Sequence, residues 1–354
     1  MSSARVSEVG LLRLVSLGLV DPVGSVREVV EHLGAAQAQD LPGALVSLAL
    51  RTAARSRDKV VAAFDAGEVV RSWPMRGTLH VVPAADLGWM LPLGTPRPRA
   101  QAARRRVELG LTDADLDRAR ELALATVPAT REALFAAWEE AGLAPAKGRG
   151  YHLLGELAST GVLCFGPFSP DTTRGVDRGQ QIVDVERWIP APRRLGRDEA
   201  LGEWARRYFR SHGPASRADF ARWTGIPAAD VDTGIALARP ELATMDVDGV
   251  EHLLDPAVPD RLAASRRRAL GVHLLPGFDE FVLGYAERGH VMAPEEFDRI
   301  VPGGNGVFRA TVVQRGRVTG TWAVPRGRLE VTPFRPLDER TEAAVTRAHA
   351  RLPR

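Results

Sequence analysis

The sequence contains a single cysteine, Cys164, which excludes an internal disulfide and a cysteine-rich zinc site. It has no run of about 18 uncharged apolar residues, so we predict no membrane-spanning helix and no membrane partner. The N-terminus lacks a basic region followed by an apolar run, which a secretory signal would have. Glycine-rich phosphate loops and His-x-x-x-His pairs are also missing, so we predict neither a cofactor nor a metal. Cytoplasmic residence is the default expectation.

Lysine is scarce as well, because Lys59 and Lys147 are the only lysines and arginine supplies the rest of the positive charge. The net charge is +3 and the pI is about 9.5. Arginine can bind a phosphate through two hydrogen bonds, but such a skew is also typical of GC-rich genomes. The distribution of arginines along the chain is therefore better evidence for DNA binding than their number.

One segment, Pro92–Arg106, concentrates arginines without any acid. Such a run is either a solvated linker or a link between domains that contacts phosphates, and the lack of acids favours phosphate contact. The arginines concerned are Arg97, Arg99, Arg104, Arg105 and Arg106.

The segment Ser25–Asp40 predicts a helix with defined ends. Ser25 and Glu28 form a capping-box pattern, and apolar residues then recur at helical spacing. Gly34 follows where a helix would end, because glycine adopts a positive φ without strain.

Two glutamines, Gln37 and Gln39, come directly after this helix. The break at Asp40-Leu41-Pro42 favours an extended or turn conformation, in which residues two apart face the same side. Two neutral amides would then face one site. The alternative is a solvated loop, since glutamine is a common surface residue.

Helices followed by a pair of short strands recur along the chain, which is the element order of a winged helix. The hairpin tip of the second module is a candidate for insertion into the minor groove, through Arg174, Arg178, Gln180 and Gln181; the alternative is a disordered wing. The predicted domains are residues 1–95 (first winged helix), 96–111 (basic linker), 112–190 (second winged helix, with a long hairpin), 197–262 (third winged helix) and 263–354 (C-terminal domain).

The C-terminal section changes to the period of short strands and ends in a predicted helix, Thr341–Leu352. Gly316 predicts a tight hairpin between two of these strands. The predicted fold class is therefore α+β, with a small C-terminal antiparallel β-barrel.

Two signatures, Gly34–Asp40 and His273–Tyr285 followed by Arg288, resemble those of the AlkZ/YcaQ family of winged-helix DNA glycosylases. The Gln-x-Gln pair is similar to the AlkZ branch, which protects producers of DNA-alkylating antibiotics, whereas the YcaQ branch carries Gln-x-Asp. Further matches spread in order over nearly the whole chain are Arg51, Val70–Val82, Asp86, Trp89, Asn305, Gly306, Gly320–Trp322 and Phe334. The resemblance implies that the recurring units of helices and paired strands are three tandem winged helices around a concave DNA-binding channel.

The resemblance implies that Gln37 and Gln39 are catalytic, and the chemistry of the amides allows this role. Most glycosidases use two carboxylates, one of which protonates a poor leaving group. An N7-alkylated guanine already carries a positive charge and departs as a neutral base. What remains is to place water at C1′ and to stabilise an oxocarbenium-like sugar, and amide oxygens can do both as acceptors.

Five further residues are predicted to line the site. Arg76, Thr78 and His80 belong to the first wing, where Thr78 and His80 share a face of the second strand, although a histidine on a short strand is more often part of the packing. Asp279 lies in a turn, where aspartate is common. Its match to the family favours a place in the site, with Arg288 nearby.

These observations predict a monofunctional DNA glycosylase that hydrolyses the N-glycosidic bond of cationic N7-alkylpurines in double-stranded DNA, with interstrand crosslinks as further candidate lesions. We expect a monomer without a lyase step, because no lysine lies in a plausible site. The alternative is a non-catalytic DNA-binding protein, either a regulator or a lesion-sequestering protein. A nucleoside hydrolase is disfavoured because no acidic site motif is present.

Overall fold

The computed structural model describes residues 7–169 and 179–353. Within these ranges the chain forms two compact units. The first contains the described residues up to Val60, Leu201–Trp223 and the residues from Pro227 onward; the second contains the described part of Val61–Ala200 together with Thr224–Ile226. The fold is a mixture of helices and small antiparallel sheets.

Most of the described helices are short, between 4 and 16 residues. In the two described ranges, no helix has the length and apolar character needed to cross a lipid bilayer. The helices are Glu8–Ser16, Val26–Leu33, Leu41–Arg51, Arg57–Asp65, Leu87–Gly94, Pro96–Glu108, Asp113–Thr126, Arg131–Glu140, Arg149–Ser159, Val185–Trp188, Arg197–His212, Arg217–Thr224, Ala228–Ala238, Val258–Ala269, Glu280–Leu283, Phe297–Ile300 and Glu339–Ala350.

The strands are also short and pair in antiparallel fashion within each unit. They are β1 (Ala36–Gln37), β2 (Val69–Met75), β3 (Thr78–Pro83), β4 (Ala129–Thr130), β5 (Leu163–Phe168), β6 (Gln180–Asp184), β7 (Ala215–Ser216), β8 (Ala243–Val247), β9 (Val250–Leu254), β10 (Val272–Leu275), β11 (Thr311–Gln314), β12 (Arg317–Ala323) and β13 (Glu330–Pro333).

The helix before the glutamine pair has the ends that its sequence predicts. The Ser25 N–H donates to Glu28 Oε2 over 2.7 Å, and the Glu28 N–H donates to Ser25 Oγ over 3.3 Å, which completes the capping box. Gly34 ends the helix at φ +77°, where a Cβ would be strained. The chain then becomes extended in β1, as predicted for Gln37.

In the second unit, β3, β2, β5, β6 and β4 lie side by side in this order. Its core is a cluster of buried side chains around Trp138 and Leu134, and Trp73 packs against the edge of this cluster. Trp89 and Trp138 are buried, as are Trp204 and Trp223 in the first unit, so these four indoles are part of the core.

The C-terminal strands form an open sheet in the linear order β10-β11-β12-β13. The turn at Arg315 and Gly316, both at positive φ, makes the predicted tight hairpin between β11 and β12. The predicted barrel is not confirmed, since no closed sheet occurs among the described residues. Four strands would enclose too little space for an interior, and the helix Glu339–Ala350 instead supplies Val345 to the sheet's buried cluster.

The segment predicted as a basic linker is largely a helix, Pro96–Glu108. Pro96 and Pro98 fall in its first turn, where backbone N–H groups have no intrahelical partner and proline is tolerated. The arginines, alanines and glutamine that follow are good helix formers. The two prolines therefore begin a helix, and the segment predicted as a basic linker is helical over most of its length.

Candidate active site

The two glutamines of the Gln-x-Gln pair face the same side and touch. Gln37 Nε2 donates a hydrogen bond to Gln39 Oε1 over 2.9 Å. The Gln37 side chain is 8% exposed, whereas Gln39 is exposed. Gln37 Oε1 is buried and accepts no hydrogen bond from any of the described residues. The pair therefore offers one accessible amide, that of Gln39, and one buried acceptor without a partner among the described residues.

The main chain of Gln37 is held by Glu280, a residue that the sequence patterns did not single out. The Gln37 N–H donates to Glu280 Oε1 over 3.2 Å. Glu280 Oε2 accepts from Trp223 Nε1 over 3.0 Å and lies 3.3 Å from His212 Nε2. The local signal for Glu280 was its position inside the second family signature; the sequence around His212 has none.

Asp279, which was predicted to line the site, forms a buried ion pair. Its carboxylate binds Arg51 through two hydrogen bonds of 2.8 and 2.9 Å and accepts a third from Ser47 Oγ over 2.7 Å. Asp279 Oδ1 also caps the Glu280–Leu283 helix by accepting from the Phe281 N–H. Both charged side chains are almost fully buried. Asp279 thus fixes the turn that carries Glu280.

Arg288 packs against aromatic rings in the same unit. Its guanidinium lies 4.9 Å from the ring centroid of Phe297 and 5.8 Å from that of Phe308, and Nε donates to the Val282 carbonyl. Burial, with a smaller repulsion from Arg222, lowers the pKa of Arg288 to about 10, so it keeps its charge at neutral pH. These contacts stabilise the segment after Glu280.

Arg76, Thr78 and His80 lie together on the β2–β3 hairpin of the second unit. Arg76 and Gly77, both at positive φ, form its two-residue turn. His80 is fully buried; Nδ1 donates to the Thr78 carbonyl over 2.9 Å and Nε2 accepts from Arg76 Nη2 over 3.1 Å. His80 is therefore a neutral side chain within the packing of the hairpin and orients Arg76.

The helix Pro96–Glu108 has no buried residues, so its arginines are accessible. Acids outside the run pair with them: Arg99 with Glu156, Arg104 and Arg105 with Glu108, and Arg106 with Asp113. Arg97 reaches the Gly225 carbonyl over 3.5 Å. Exposed pairs of this kind exchange readily for other anions, because each contributes only about 0–1 kcal/mol.

Two of the four residues predicted at the hairpin tip, Arg174 and Arg178, lie outside the described residues. Gln180 is 2% exposed; its Oε1 accepts from Arg71 over 3.0 Å and its Nε2 donates to the Gly166 carbonyl over 3.1 Å. Its side chain stabilises the base of the β5–β6 hairpin and is not on the surface. Gln181 is partly exposed.

The surroundings of Gln37 accept hydrogen bonds at fixed positions. The buried carboxyl group of Glu280 accepts from the Gln37 main chain, and the neutral amides of Gln37 and Gln39 contact each other. Such a site can orient a water molecule and stabilise positive charge. In the part of the chain that the structure describes, no group of three or more His, Cys, Asp or Glu side chains is arranged to hold a metal ion.

Comparison with known proteins places this arrangement in a family. The profile of the family described as DNA glycosylase AlkZ-like matches residues 30–354. The chain therefore belongs to the AlkZ-like DNA glycosylases, and it is an enzyme that acts on N-glycosyl bonds.

Two comparisons with individual proteins agree with the family. The chain is 29% identical over 357 residues to the interstrand DNA cross-link repair glycosylase of Streptomyces sahachiroi, covering 93% of this chain and 90% of the relative. The structure of the DNA glycosylase AlkZ from Streptomyces sahachiroi superposes with a TM-score of 0.77 at 25% identity, covering 97% of this chain and 94% of AlkZ. The resemblance seen in the sequence is confirmed.

Proposed function

We propose that this enzyme hydrolyses the N-glycosidic bond of cationic N7-alkylpurines such as 7-methylguanine, with Gln37 and Gln39 at the reacting sugar. The amide pair carries the proposal. Because Gln37 Nε2 donates to Gln39 Oε1, the buried Gln37 Oε1 is left as an acceptor without a partner among the described residues. A buried polar atom is costly unless it is hydrogen-bonded, and a water molecule at the sugar would satisfy it.

The proposed reaction needs no acid on the leaving group. The bond between C1′ and N9 breaks, and its electron pair neutralises the positive charge of the alkylated base, which leaves as a neutral molecule. Water then adds to C1′ and loses a proton to solvent. Gln37 Oε1 orients this water, while the amide dipoles stabilise the oxocarbenium-like sugar. An undamaged base would have to leave as an anion, so neutral amides leave intact DNA alone.

Interstrand crosslinks are proposed as a second substrate class. The Streptomyces sahachiroi relative is named as an interstrand DNA cross-link repair glycosylase. A crosslink through N7 of two purines presents the same cationic leaving group at each end. A bulky lesion is not easily flipped into a closed pocket, and Gln39 is exposed, as access to such a lesion requires. A role in self-resistance to a DNA-alkylating natural product would follow from this specificity.

Double-stranded DNA would be bound by three winged-helix modules. The order of a short strand, two helices and a hairpin begins at β1, at β4 and at β7. In the second and third modules the short strand pairs with the second strand of the hairpin, β4 with β6 and β7 with β9. The exposed arginines of Pro96–Glu108 would contact phosphates. We expect a monomer acting in the cytoplasm, where the chromosome of a bacterium lies.

The test is single-turnover release of 7-methylguanine from a defined duplex. Gln37→Ala and Gln39→Ala should each slow release by about 10²-fold, as loss of a water-positioning group often does. The matched control is Gln314→Ala, which removes a part-buried glutamine amide of β11 that donates to Thr341 of the Glu339–Ala350 helix. It should release base at the wild-type rate.

Affinity for the duplex and the unfolding midpoint should be unchanged in both glutamine variants. Unchanged release rates in both would overturn the assignment of the pair. If the wild type binds the duplex but releases no base, N7-methylpurines are not substrates, and a defined crosslink becomes the next duplex to assay.

A further inference from the structure

We propose that Glu280 is a positioning residue for Gln37, and that its charge is kept in the interior because it fixes the main chain of the catalytic glutamine. This inference rests on the proposed function of the glutamine pair. Glu280 is 1% exposed. Burying a carboxylate is costly, and an apolar side chain of similar size would often be as stable. Stability alone therefore does not explain why a carboxyl side chain is buried at this position.

Both side-chain oxygens of Glu280 accept hydrogen bonds. Oε1 accepts from the Gln37 N–H over 3.2 Å, and Oε2 accepts from the indole N–H of Trp223 over 3.0 Å. The ring nitrogen Nε2 of His212 faces the same Oε2 at 3.3 Å. N–H donors thus meet both oxygens, and each oxygen of Glu280 is needed as an acceptor.

The groups behind the carboxylate cannot easily rearrange. His212 stacks on Tyr208 with ring centroids 4.6 Å apart, and its Nδ1 is 2.7 Å from Ser211 Oγ. The hydroxyl of Tyr208 donates to the Gly284 carbonyl over 2.8 Å, and that of Tyr285 donates to the His212 carbonyl over 2.8 Å. Burial raises the pKa of Tyr208 and of Tyr285, so both phenols remain protonated donors. These bonds join the end of the Arg197–His212 helix to the Glu280–Tyr285 segment.

The consequence for Gln37 is a fixed main chain. β1 contains only Ala36 and Gln37, so its geometry depends on few residues. The bond from the Gln37 N–H to Glu280 defines where the Gln37 Cα lies, and hence where Oε1 is held. A displacement of about 1 Å at a group that orients a reactant can cost about 10²-fold in rate. Glu280 does not itself touch the sugar in this proposal.

The experiment removes one of the two accepting oxygens of the Glu280 side chain. Glu280→Gln leaves one accepting oxygen, while both the Gln37 N–H and the Trp223 N–H require an acceptor. If the amide oxygen turns to Trp223, its NH₂ group meets the Gln37 N–H, and two donors face each other. We expect single-turnover release to slow by about tenfold, the effect of removing one hydrogen bond to a charged group. The dissociation constant for the duplex should stay unchanged.

A second substitution should restore part of the rate. Trp223→Phe removes the competing indole N–H, so in the double variant Glu280→Gln/Trp223→Phe the amide oxygen can return to the Gln37 N–H. Its NH₂ group then faces His212 Nε2, which accepts when the proton is on Nδ1. The double variant should release base about threefold or more faster than Glu280→Gln alone, a coupling that contacting residues commonly show. A purely structural role would make the double variant the slower of the two.

The control is Glu296→Gln, which changes another carboxylate of the same unit that accepts a backbone N–H, from Ala293 over 2.8 Å. It should leave the release rate unchanged. Gln37→Ala is measured alongside: a wild-type rate there would defeat the proposed function. A slow Gln37→Ala with a wild-type rate in Glu280→Gln would overturn the inference about Glu280 alone. If Glu280→Gln does not fold, Glu280→Asp withdraws the carboxylate by one methylene and should slow release; a wild-type rate would overturn the inference equally.

Discussion

Arg51 and Asp279 are separated by 228 residues in sequence and form a buried, two-point ion pair with N–O distances of 2.8 and 2.9 Å. Arg51 also donates through Nε to the Leu17 carbonyl and through Nη1 to the Ser47 carbonyl. The pair therefore joins the Leu41–Arg51 helix, which follows the glutamines, to the turn that precedes Glu280. Two consecutive acids of the second signature thus hold the glutamine segment, one through this helix and one through the Gln37 main chain.

The first prediction concerns the stability of this pair. Asp279→Ala leaves the buried Arg51 guanidinium without its counter-ion and should lower the free energy of unfolding by about 3–5 kcal/mol. The measurement is urea denaturation at neutral pH. Ser47→Ala removes the hydroxyl that donates to Asp279 and accepts from Arg51 Nη1. It leaves the ion pair in place and should cost less, about 1–3 kcal/mol.

The matched control is the exposed pair between Arg266 and Glu8, whose side chains are 46% and 51% exposed. Arg266→Ala should lower stability far less than Asp279→Ala does, because water screens the pair. An Asp279→Ala variant as stable as Arg266→Ala would mean that the interior accommodates Arg51 alone.

The amide contact leads to the second prediction. Gln39 Oε1 accepts from Gln37 Nε2, so Gln39 orients the Gln37 amide as well as facing the site. Removing Gln39 should therefore also remove part of the contribution of Gln37. In a double-mutant cycle on single-turnover release, the effects of Gln37→Ala and Gln39→Ala should be less than additive, with a coupling of about 0.5–3 kcal/mol. Strict additivity would show that the two amides act independently and that their hydrogen bond has no part in the reaction.

The local features of this chain could be predicted because each depends on a few adjacent residues. The capping box of Ser25 and Glu28 and the helix end at Gly34 follow from backbone donors and from the conformational freedom of glycine. The facing of Gln37 and Gln39 follows from the period of an extended segment.

Other features could not be read from the sequence, because they depend on distant residues or on competing local signals. The carboxylate of Glu280 meets a backbone N–H 243 residues away, and no periodic pattern marks such a contact. Asp279 was selected for its match to the family, while its neighbour Glu280 touches Gln37. The helix Pro96–Glu108 lies in the segment predicted as a basic linker, and its two prolines fall in the first turn, where proline is compatible with a helix.

The exposed helix Pro96–Glu108 gives the third prediction. Arg104 and Arg105 are 91% and 59% exposed, and both pair with Glu108 on the same helix. If they contact phosphates, Arg104→Ala/Arg105→Ala should weaken binding equally for damaged and undamaged duplexes. The slope of log K against log salt should fall by about 1 for each phosphate that is no longer neutralised.

Arg118 serves as the control for this measurement, since it is an exposed arginine paired with Glu121 on the next helix. Arg118→Ala should leave the salt slope unchanged. If the Arg104→Ala/Arg105→Ala variant has the same slope as wild type, these two arginines form a solvated face and the phosphates are bound elsewhere.

The fourth prediction concerns His32, which lies in the last turn of the Val26–Leu33 helix and whose Nε2 donates to the Ser16 carbonyl over 2.7 Å. Burial lowers the pKa of His32 to about 4 from its usual 6.5, with a smaller repulsion from Arg261. His32 therefore binds a proton near pH 6.5 in the unfolded chain, but only near pH 4 in the folded chain. Stability is full above pH 6.5 and falls as the pH drops towards 4, by about 3 kcal/mol from this group.

His32→Gln keeps a donor for Ser16 but does not titrate, so denaturation midpoints at pH 7 and pH 4.5 should differ less than in wild type. Other histidines contribute to the same pH range in both proteins, and only the difference between the two proteins reports on His32. An equal loss of stability in the variant and the wild type would show that His32 is hydrated and protonates freely in the folded state.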